Sequence, residues 1–286
     1  MKKKLLLCLL VVLLSCITAA AQEAKMQPLT FWYEYTVNPG KEDQFLDLVK
    51  TVGAPVRDKL MADGVVLAWG LQVPLLRQPG APTHIIWYAV ADWSGVEKVD
   101  TAMRAQIAKM SEESTKPASG KKGSASGSSS VTARMMEIAD VSKTHDYVTR
   151  DLVIGLGASA PPAGTLPYSH YSFVKAKPGK GRDVRKLWEK YNKPVLDKLL
   201  ADGVILAYGL SVEEVRTTGD FTHYGWYDAK DLASFEKVRA AFAADRERRS
   251  QEEQDAISHA FASVLDLDAS RGEVDRSLMF HVAPMK

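Results

Sequence analysis

The sequence predicts an α+β fold in two similar halves, each a four-stranded antiparallel sheet covered by helices on one face. The first observation is a repeat: residues 55–71, PVRDKLMADGVVLAWGL, return as residues 194–210, PVLDKLLADGVILAYGL, with 13 of 17 positions identical. The second is that the offset of 139 residues holds without a gap over 39–99 and 178–238. The third is the element order in each half, strand, helix, strand, strand, helix, strand, which is typical of such a sheet.

The first half supplies these elements in order. Residues 30–37, TFWYEYTV, are rich in aromatic and β-branched side chains and end at the turn signal Asn38-Pro39-Gly40, so they predict a strand. Apolar residues at helical spacing follow from Lys41, with a break expected at Pro55 and an end at Asp63-Gly64. The remaining predicted elements are strands at 65–73 and 84–91, a helix through 96–110, a short helix near 131–139 and a last strand at 150–155.

The second half repeats this pattern. Its first helix is interrupted at Pro194, and the later elements are strands at 204–212 and 223–228, a helix through 232–242, a short helix near 257–265 and a last strand at 276–282. The offset drops to 126 after the tract 117–130, PASGKKGSASGSSS, which has the composition of a solvated loop. We therefore predict a first domain at 28–154, a linker at 155–167 and a second domain at 168–286.

The N-terminal segment has the zones of a secretory signal. Three lysines precede the apolar run LLLCLLVVLL, and small residues end at Ala21, after which we expect cleavage. The apolar run is short for a membrane span. A lipid anchor at Cys16 is the alternative, because residues 13–16 resemble a bacterial lipoprotein box. The segment 1–21 thus predicts a periplasmic or secreted protein.

Charge and cysteine content reduce the number of functional classes that the sequence supports. Loss of the three signal lysines leaves 34 basic and 35 acidic residues, a net charge of −1, which gives no support to nucleic-acid binding. Cys8 and Cys16 both lie inside the signal, so ordinary cleavage leaves no thiol for a disulfide or a thiolate metal site. The mature protein must then depend on its apolar core.

A sheet covered on one face leaves its other face needing a partner, and the repeat supplies one on the same chain. In its element order and its repeated DG-V-x-L-A-x-G-L strand, the chain resembles the dimeric α+β barrel group of ferredoxin-like domains, which includes antibiotic biosynthesis monooxygenase-like and NIPSNAP-like proteins. The resemblance implies two ferredoxin-like βαββαβ domains whose sheets pack together as an intrachain pseudo-dimer. It covers nearly all of the mature chain and is specific for the fold.

Two repeated histidine and tyrosine pairs are the candidate catalytic residues. Strand alternation places His84 with Tyr88, and His223 with Tyr227, on one face of each sheet. If that face borders a cavity, an imidazole and a phenol there could move a proton or orient a polar ligand. The alternative is that both pairs are packing residues. Because Gly225 stands where the first half has an isoleucine, we expect any pocket beside Gly225.

The candidate ligand-binding residues are aromatic. Trp69 and Tyr208 alternate with small residues, which predicts that the aromatic side chains lie on the barrel side and the small ones under a helix. Trp87 and Trp226 follow the two histidines and could form a ligand wall or ordinary barrel core.

No motif identifies a cofactor. No His-Glu pattern has metal-ligand spacing, so no metal is assigned. Some relatives of the resembled group hold haem, but nothing singles out an axial ligand among the unmatched histidines 145, 170, 259 and 281. We therefore expect an exported barrel that binds a small apolar or aromatic ligand or serves a structural role. The alternatives are a cofactor-independent monooxygenase-like enzyme, implied by the resemblance, and then a haem-binding barrel.

Overall fold

Eight strands in the described part of the chain form one closed antiparallel barrel. The computed structural model describes residues 27–78, 80–115, 130–158, 164–217 and 219–283. The strands are β1 (Leu29–Tyr35), β2 (Val66–Pro74), β3 (His84–Val90), β4 (His145–Leu156), β5 (Tyr168–Ala176), β6 (Ile205–Glu213), β7 (His223–Ala229) and β8 (Leu265–Val282). They are hydrogen-bonded around the barrel in the order β1-β3-β2-β8-β5-β7-β6-β4. The predicted α+β class and the antiparallel sheets are confirmed.

Helices cover the outside of this barrel. They are α1 (Glu42–Leu48), α2 (Ala54–Ala62), α3 (Trp93–Thr115), α4 (Val131–Ile138), α5 (Gly181–Tyr191), α6 (Lys193–Ala201), α7 (Ala233–Glu247) and α8 (Gln251–Val264). A π-helical turn, Val49–Gly53, joins α1 to α2. Within the described ranges, no helix has both the length and the apolar character needed to span a bilayer. The predicted signal, 1–21, and all but the last residue of the tract 117–130 lie outside the described residues.

The helix breaks occur where proline predicts them. Pro55 and Pro194 each occupy the first turn of a new helix, where the missing N–H group costs nothing. Gly64 and Gly203 follow the ends of these helices with φ of 74° and 66°, a backbone conformation that favours glycine. The two breaks let each helical segment bend over its sheet.

The strands of the two halves pair in the same register. Thr30 lies opposite Thr149 in the first half, and Ser169 lies opposite Asp275 in the second. The offsets between these positions, 139 for the β1 and β5 residues and 126 for the β4 and β8 residues, are the two offsets of the sequence repeat. Each half therefore has the strand order β4-β1-β3-β2 or its counterpart β8-β5-β7-β6.

The barrel closes along two seams between the halves. β2 pairs with β8, and β4 pairs with β6. These pairings need long last strands, and β4 and β8 begin at His145 and Leu265, earlier than the predicted 150 and 276. β4 also continues to Leu156, into the segment predicted as a linker. Closure leaves no free sheet edge in the barrel.

The apolar residues form two layers, one inside the barrel and one beneath the helices. The interior holds an aromatic cluster composed of Trp32, Ile85, Tyr147, Tyr171, Phe173, Phe221 and Tyr224. Gly70 and Gly209 admit the interior indoles of Trp87 and Trp226, because a Cβ atom at either glycine would lie within 3.0 Å of the indole. The small strand residues thus make room inside the barrel.

Candidate functional site

The predicted catalytic pair His84 and Tyr88 lies beneath the helices. The His84 ring centroid is 4.9 Å from that of Phe45 on α1. Tyr88 is 1% exposed and packs in the layer that contains Leu60 and Val99. The two side chains share a face, as alternation predicts. That face is covered by helices, and the expectation that it borders the barrel cavity is wrong.

The second pair, His223 and Tyr227, has the same environment. Thr222 Oγ1 lies 2.9 Å from His223 Nδ1, and burial lowers the pKa of His223 to about 4. Tyr227 stacks on His170 with ring centroids 4.9 Å apart. The space beside Gly225 is occupied by the Trp188 indole, whose Nε1 would lie 3.0 Å from an added Cβ atom. The pocket expected beside Gly225 is therefore filled.

Trp69 and Tyr208 also face the helices, which corrects their predicted place on the barrel side. Trp69 Nε1 donates to Asp58 Oδ1 at 2.9 Å, and the Tyr208 hydroxyl donates to Asp197. Both residues are almost fully buried in the helix-facing layer. His281 of β8 stacks on Trp69 with centroids 4.3 Å apart. These aromatic residues anchor helices to the sheet.

Trp87 and Trp226 are the predicted ligand-wall residues that do reach the barrel interior. Trp226 Nε1 donates to Ser211 Oγ at 3.1 Å, and Ser211 in turn donates to Asp151. Trp87 Nε1 has no hydrogen-bond partner among the described residues. Both indoles pack against the interior aromatic cluster. They are packing residues of the barrel interior.

The barrel opens at one end into a cavity of about 490 Å³. This mouth cavity lies between the β2–β3 loop, the start of β4, the end of the β6–β7 loop and the middle of β8. Its lining is composed of Glu34, Pro74, Leu76, Gln78, Gly80, Ala81, Pro82, Lys143, His145, Tyr147, Asp220, Phe221, Arg271, Gly272 and Glu273. The volume lies within the range of small-molecule sites.

A much smaller void continues from the mouth cavity toward the interior. It has a volume of about 10 Å³, which is space for about one water molecule. Glu34, Tyr147 and Glu273 line both spaces, and Asp275 lines the inner one. Five aromatic side chains complete its wall, namely Trp32, Tyr147, Tyr171, Phe173 and Tyr224. The site therefore combines an aromatic wall with three carboxyl groups.

Burial controls the ionisation of these carboxyl groups. Desolvation raises the pKa of Glu34, and the hydrogen bond from Tyr147 opposes that shift. Desolvation and then the neighbouring charge of Glu273 raise the pKa of Asp275 to about 9. The pKa of Glu273 is also raised by burial, although Arg271 lowers it in part. Asp275 is consequently protonated at neutral pH and can donate to Glu273.

Three basic side chains line the cavity, namely Lys143, His145 and Arg271. His145 Nδ1 lies 3.7 Å from Glu34 Oε2. The Arg271 guanidinium carbon lies 4.3 Å from the Phe173 ring centroid and 5.9 Å from that of Phe221. An aromatic surface beside carboxyl groups thus already carries one cation of the chain itself.

A second unusual group is Arg57, beneath the helices of the first half. It is 5% exposed, its Nε atom has no hydrogen-bond partner, and no carboxylate of the described residues forms an ion pair with it. Its charge acts on Tyr33, Tyr35 and Tyr88, and burial lowers its pKa. A side chain at Gly53, in the π-helical turn, would collide with the guanidinium. Such turns are frequent at functional sites.

Sequence reasoning missed both groups. The mouth residues Arg271, Glu273 and Asp275 alternate along β8, a pattern that usually marks a solvated strand face. Arg57 stands at one of only four differences in the 17-residue repeat, opposite Leu196. A charged residue that replaces an apolar one in an otherwise repeated segment was the available signal.

The cavity residues were tested against metal and haem. Among the described residues, no group of three or more histidine, cysteine or acidic side chains could hold a metal ion. His145 is the histidine among the cavity-lining residues, and its Nδ1 faces Glu34, while Glu273 adds a second carboxyl group. This set fits haem poorly, because the imidazole that lines the cavity faces a carboxylate and further carboxyl groups surround the space. Haem binding stays a prediction, which the presence or absence of a Soret band after haem addition tests.

Comparisons with known proteins bear on the fold. No family model matches the sequence, and no curated protein matches it. A candidate monooxygenase of Fusobacterium nucleatum subsp. nucleatum has a TM-score of 0.59 at 12% identity, over 92% of this chain and 97% of that one. An anthrone oxidase-like protein has a TM-score of 0.52 at 10% identity, over 92% and 96% of the two chains. A candidate monooxygenase of Lactobacillus acidophilus has a TM-score of 0.50 at 9% identity, over 90% and 97%.

At these identities the likeness establishes the fold and leaves activity open. The fold is that of the dimeric α+β barrel proteins, with all eight strands supplied here by one chain.

Proposed function

We propose that this protein is an exported barrel that binds a small aromatic ligand in its mouth cavity. The observation that carries the proposal is the cavity itself, about 490 Å³ at the barrel end, whose lining combines the rings of Tyr147 and Phe221 with apolar loop residues and seven polar or charged side chains. That combination suits a ligand with one or two rings. Export is supported by the basic, apolar and small-residue zones of residues 1–21.

We also propose that the two halves arose by duplication of one ferredoxin-like βαββαβ unit. The 13 identities in the 17-residue repeat and the two offsets retained in the strand registers support it. In this interpretation the barrel is an intrachain pseudo-dimer, and the seams β2–β8 and β4–β6 are its dimer contacts. The mouth cavity then lies where the two units meet.

Filling the cavity tests the binding proposal. Ala81 lines the cavity, so Ala81→Trp should obstruct it, whereas Ala201→Trp adds the same side chain at an exposed helix end. We expect 2-phenylethanol to bind the native protein and the Ala201→Trp control in calorimetric titration, and to bind Ala81→Trp at least about tenfold more weakly. Equal binding by all three proteins would place the ligand elsewhere.

The second candidate function is a cofactor-independent monooxygenase, and Arg57 is the observation that favours it. A buried guanidinium that lies among three phenols, feels the charge of Asp58 and forms no ion pair with a carboxylate of the described residues can stabilise an anion such as a phenolate. In such a reaction one O₂ converts a phenol with a free para position to a quinone and one water, and the substrate supplies all four electrons. Arg57 would hold the phenolate and would not itself be oxidised.

Oxygen uptake tests this second function. The protein should consume O₂ in the presence of electron-rich phenols. Arg57→Leu should abolish the uptake, because it removes the guanidinium. Leucine is chosen because Leu196 occupies the equivalent position of the second half. His223→Ala serves as a comparison, because His223 lies in the second half beside Thr222 and is not among the residues that line the mouth cavity. The enzyme hypothesis fails if no phenol in a broad panel consumes O₂ above the rate without protein.

A further inference from the structure

The barrel interior contains three buried aspartates, and one of them lacks a donor. Asp151 accepts from Ser211, and Asp228 accepts from Ser169 at 2.6 Å. Asp275 is 0% exposed, and neither of its oxygens lies within hydrogen-bonding reach of an N–H or hydroxyl group in the part of the chain that the structure describes. A protonated Asp275 can donate to Glu273, but its own oxygens accept from no donor among the described residues. Buried acceptors without donors are costly, so a group that brings donors would complete this environment.

Asp275 faces the void at the base of the mouth cavity and has further acidic groups beside it. Glu273 stands two residues earlier on the same face of β8, and Glu34 of β1 lines the same void. The charges of both raise the pKa of Asp275 further. Two hydroxyl groups that line the same void are engaged elsewhere: Tyr171 of β5 donates to Gln72, and Tyr147 of β4 is hydrogen-bonded to Glu34. Ser277 Oγ, two residues along β8, is buried without a partner in the described part of the chain and forms no hydrogen bond with Asp275.

The aromatic wall of the same space already binds a cation. Arg271 lies over Phe173 at 4.3 Å, and its charge lowers the pKa values of Glu34 and Glu273. Arg271 is exposed and packs over Phe173 and near Phe221, and it forms no salt bridge with Glu34 or Glu273. Its location shows that a guanidinium can pack on these rings beside the carboxyl groups.

The two halves differ at these positions in one consistent way. By register, Phe173 is the counterpart of Glu34, Tyr147 of Glu273, and Thr149 of Asp275. Each carboxyl group thus has an uncharged counterpart that performs the same structural task on the other side of the barrel. Closure does not need the three acids, although their burial costs stability.

We propose that the mouth cavity is selective for aromatic amines, whose ammonium group is received by Glu34, Glu273 and Asp275 while the ring packs on the aromatic wall. The inference rests on the proposed ligand-binding function and adds the charge of the ligand. An ammonium group supplies the donors that Asp275 lacks and displaces Arg271 from Phe173. Because Asp275 carries a proton in the free protein, binding releases that proton to solvent.

Three probes that share a phenylethyl group and differ in charge test the proposal in calorimetric titrations of the whole mature chain. We expect 2-phenylethylamine to bind about tenfold or more tightly than 2-phenylethanol, and 3-phenylpropionate to bind least. Repeating the amine titration at pH 7.5 in buffers of different ionisation enthalpy should reveal release of up to one proton. The other acidic groups of this region are Glu34, Asp220, Asp228 and Glu273, and the basic ones are Lys143, His145 and Arg271, so the release is measured as a total.

Variants assign the effect to the carboxyl groups. Glu273→Gln should reduce the preference for the amine over the alcohol to less than about threefold, and Arg271→Ala should strengthen amine binding. The matched control is Asp146→Asn, which removes an exposed carboxylate from β4, next to Tyr147 but on the opposite face. Circular dichroism confirms that each variant is folded.

The outcomes separate the two proposals. Equal affinity for amine and alcohol, or tighter binding of the propionate, overturns the inference and leaves aromatic-ligand binding intact. No binding of any probe contradicts the proposed function as well. Amine preference that survives in Glu273→Gln and falls in Asp146→Asn would locate the cation outside this site and also overturn the inference.

Discussion

The unfavourable burial of Asp275 predicts that alkali weakens the protein and that one substitution removes the effect. The folded protein holds a proton on Asp275 up to about pH 9, whereas the unfolded chain releases it near pH 3.8. Between these values the folded state binds more protons than the unfolded state, so the free energy of unfolding falls as pH rises. The limiting slope for one group is about 1.4 kcal/mol per pH unit.

The window from pH 7.0 to 8.5 lies above the titration of three buried histidines and of the other two interior aspartates. Burial lowers the pKa of His84, His170 and His223, so these histidines are already neutral there. Asp151 and Asp228, whose pKa values burial raises to about 6, are largely ionised below that window. Over 1.5 pH units the wild-type protein should therefore lose about 2 kcal/mol of stability.

Asp275→Asn keeps the shape of the side chain and a donor toward Glu273 but cannot ionise. We expect its free energy of unfolding to change by less than about 0.5 kcal/mol across the same window. Urea denaturation at pH 7.0, 7.75 and 8.5, followed by circular dichroism with the m-value checked for constancy, measures both slopes. If the variant keeps the full wild-type slope, another group titrates and the assignment of the proton to Asp275 is refuted.

Two further predictions concern packing and acid stability. Gly209→Ala should lower the free energy of unfolding by about 2 kcal/mol, because its Cβ atom would lie 2.5 Å from Trp226 Nε1. Gly272→Ala is the control, because the nearest atom to its Cβ atom would lie 3.9 Å away. It should change the free energy of unfolding by less than about 0.5 kcal/mol in the same urea titration. His223 is neutral in the folded protein down to about pH 4 against an ordinary pKa of 6.5, so the unfolded chain takes up the proton first and stability falls as pH drops through this range. His223→Gln should reduce that loss between pH 6.5 and 5, and an unchanged profile would show that His223 does not carry it.

Strand alternation identified which side chains share a face but could not tell which face is inside. His84 and Tyr88 share a face, and so do His223 and Tyr227, yet both pairs lie under helices. In this barrel each sheet is covered on both sides, by the interior cluster and by the helix-facing layer, so apolar residues occur at odd and even positions alike. The alternation therefore does not show which face is the barrel interior. For this reason the sequence placed Trp69 on the wrong side of the sheet.

The glycines beside Trp69 and Tyr208 show the same limit. Small residues were expected to mark the approach of a helix, whereas Gly70 and Gly209 make space for the interior indoles of Trp87 and Trp226. A glycine in a strand indicates that another group packs closely against the backbone, but the sequence does not show which residue that group belongs to. The partner is a residue on an adjacent strand, and the pairing register determines it.

The repeated segment alone determined that the chain has two equivalent halves, the order of their elements and the positions of the helix breaks, because these depend on local spacing and on proline and glycine stereochemistry. Only the tertiary structure decided that β2 joins β8 and β4 joins β6, which face of each strand became the interior, and that Glu34, Glu273 and Asp275 meet at one mouth. The β2–β8 contacts, and the approach of Glu34 to Glu273 and Asp275, join residues more than 200 positions apart, and the β4–β6 contacts join residues more than 50 apart. No local pattern specifies such pairings.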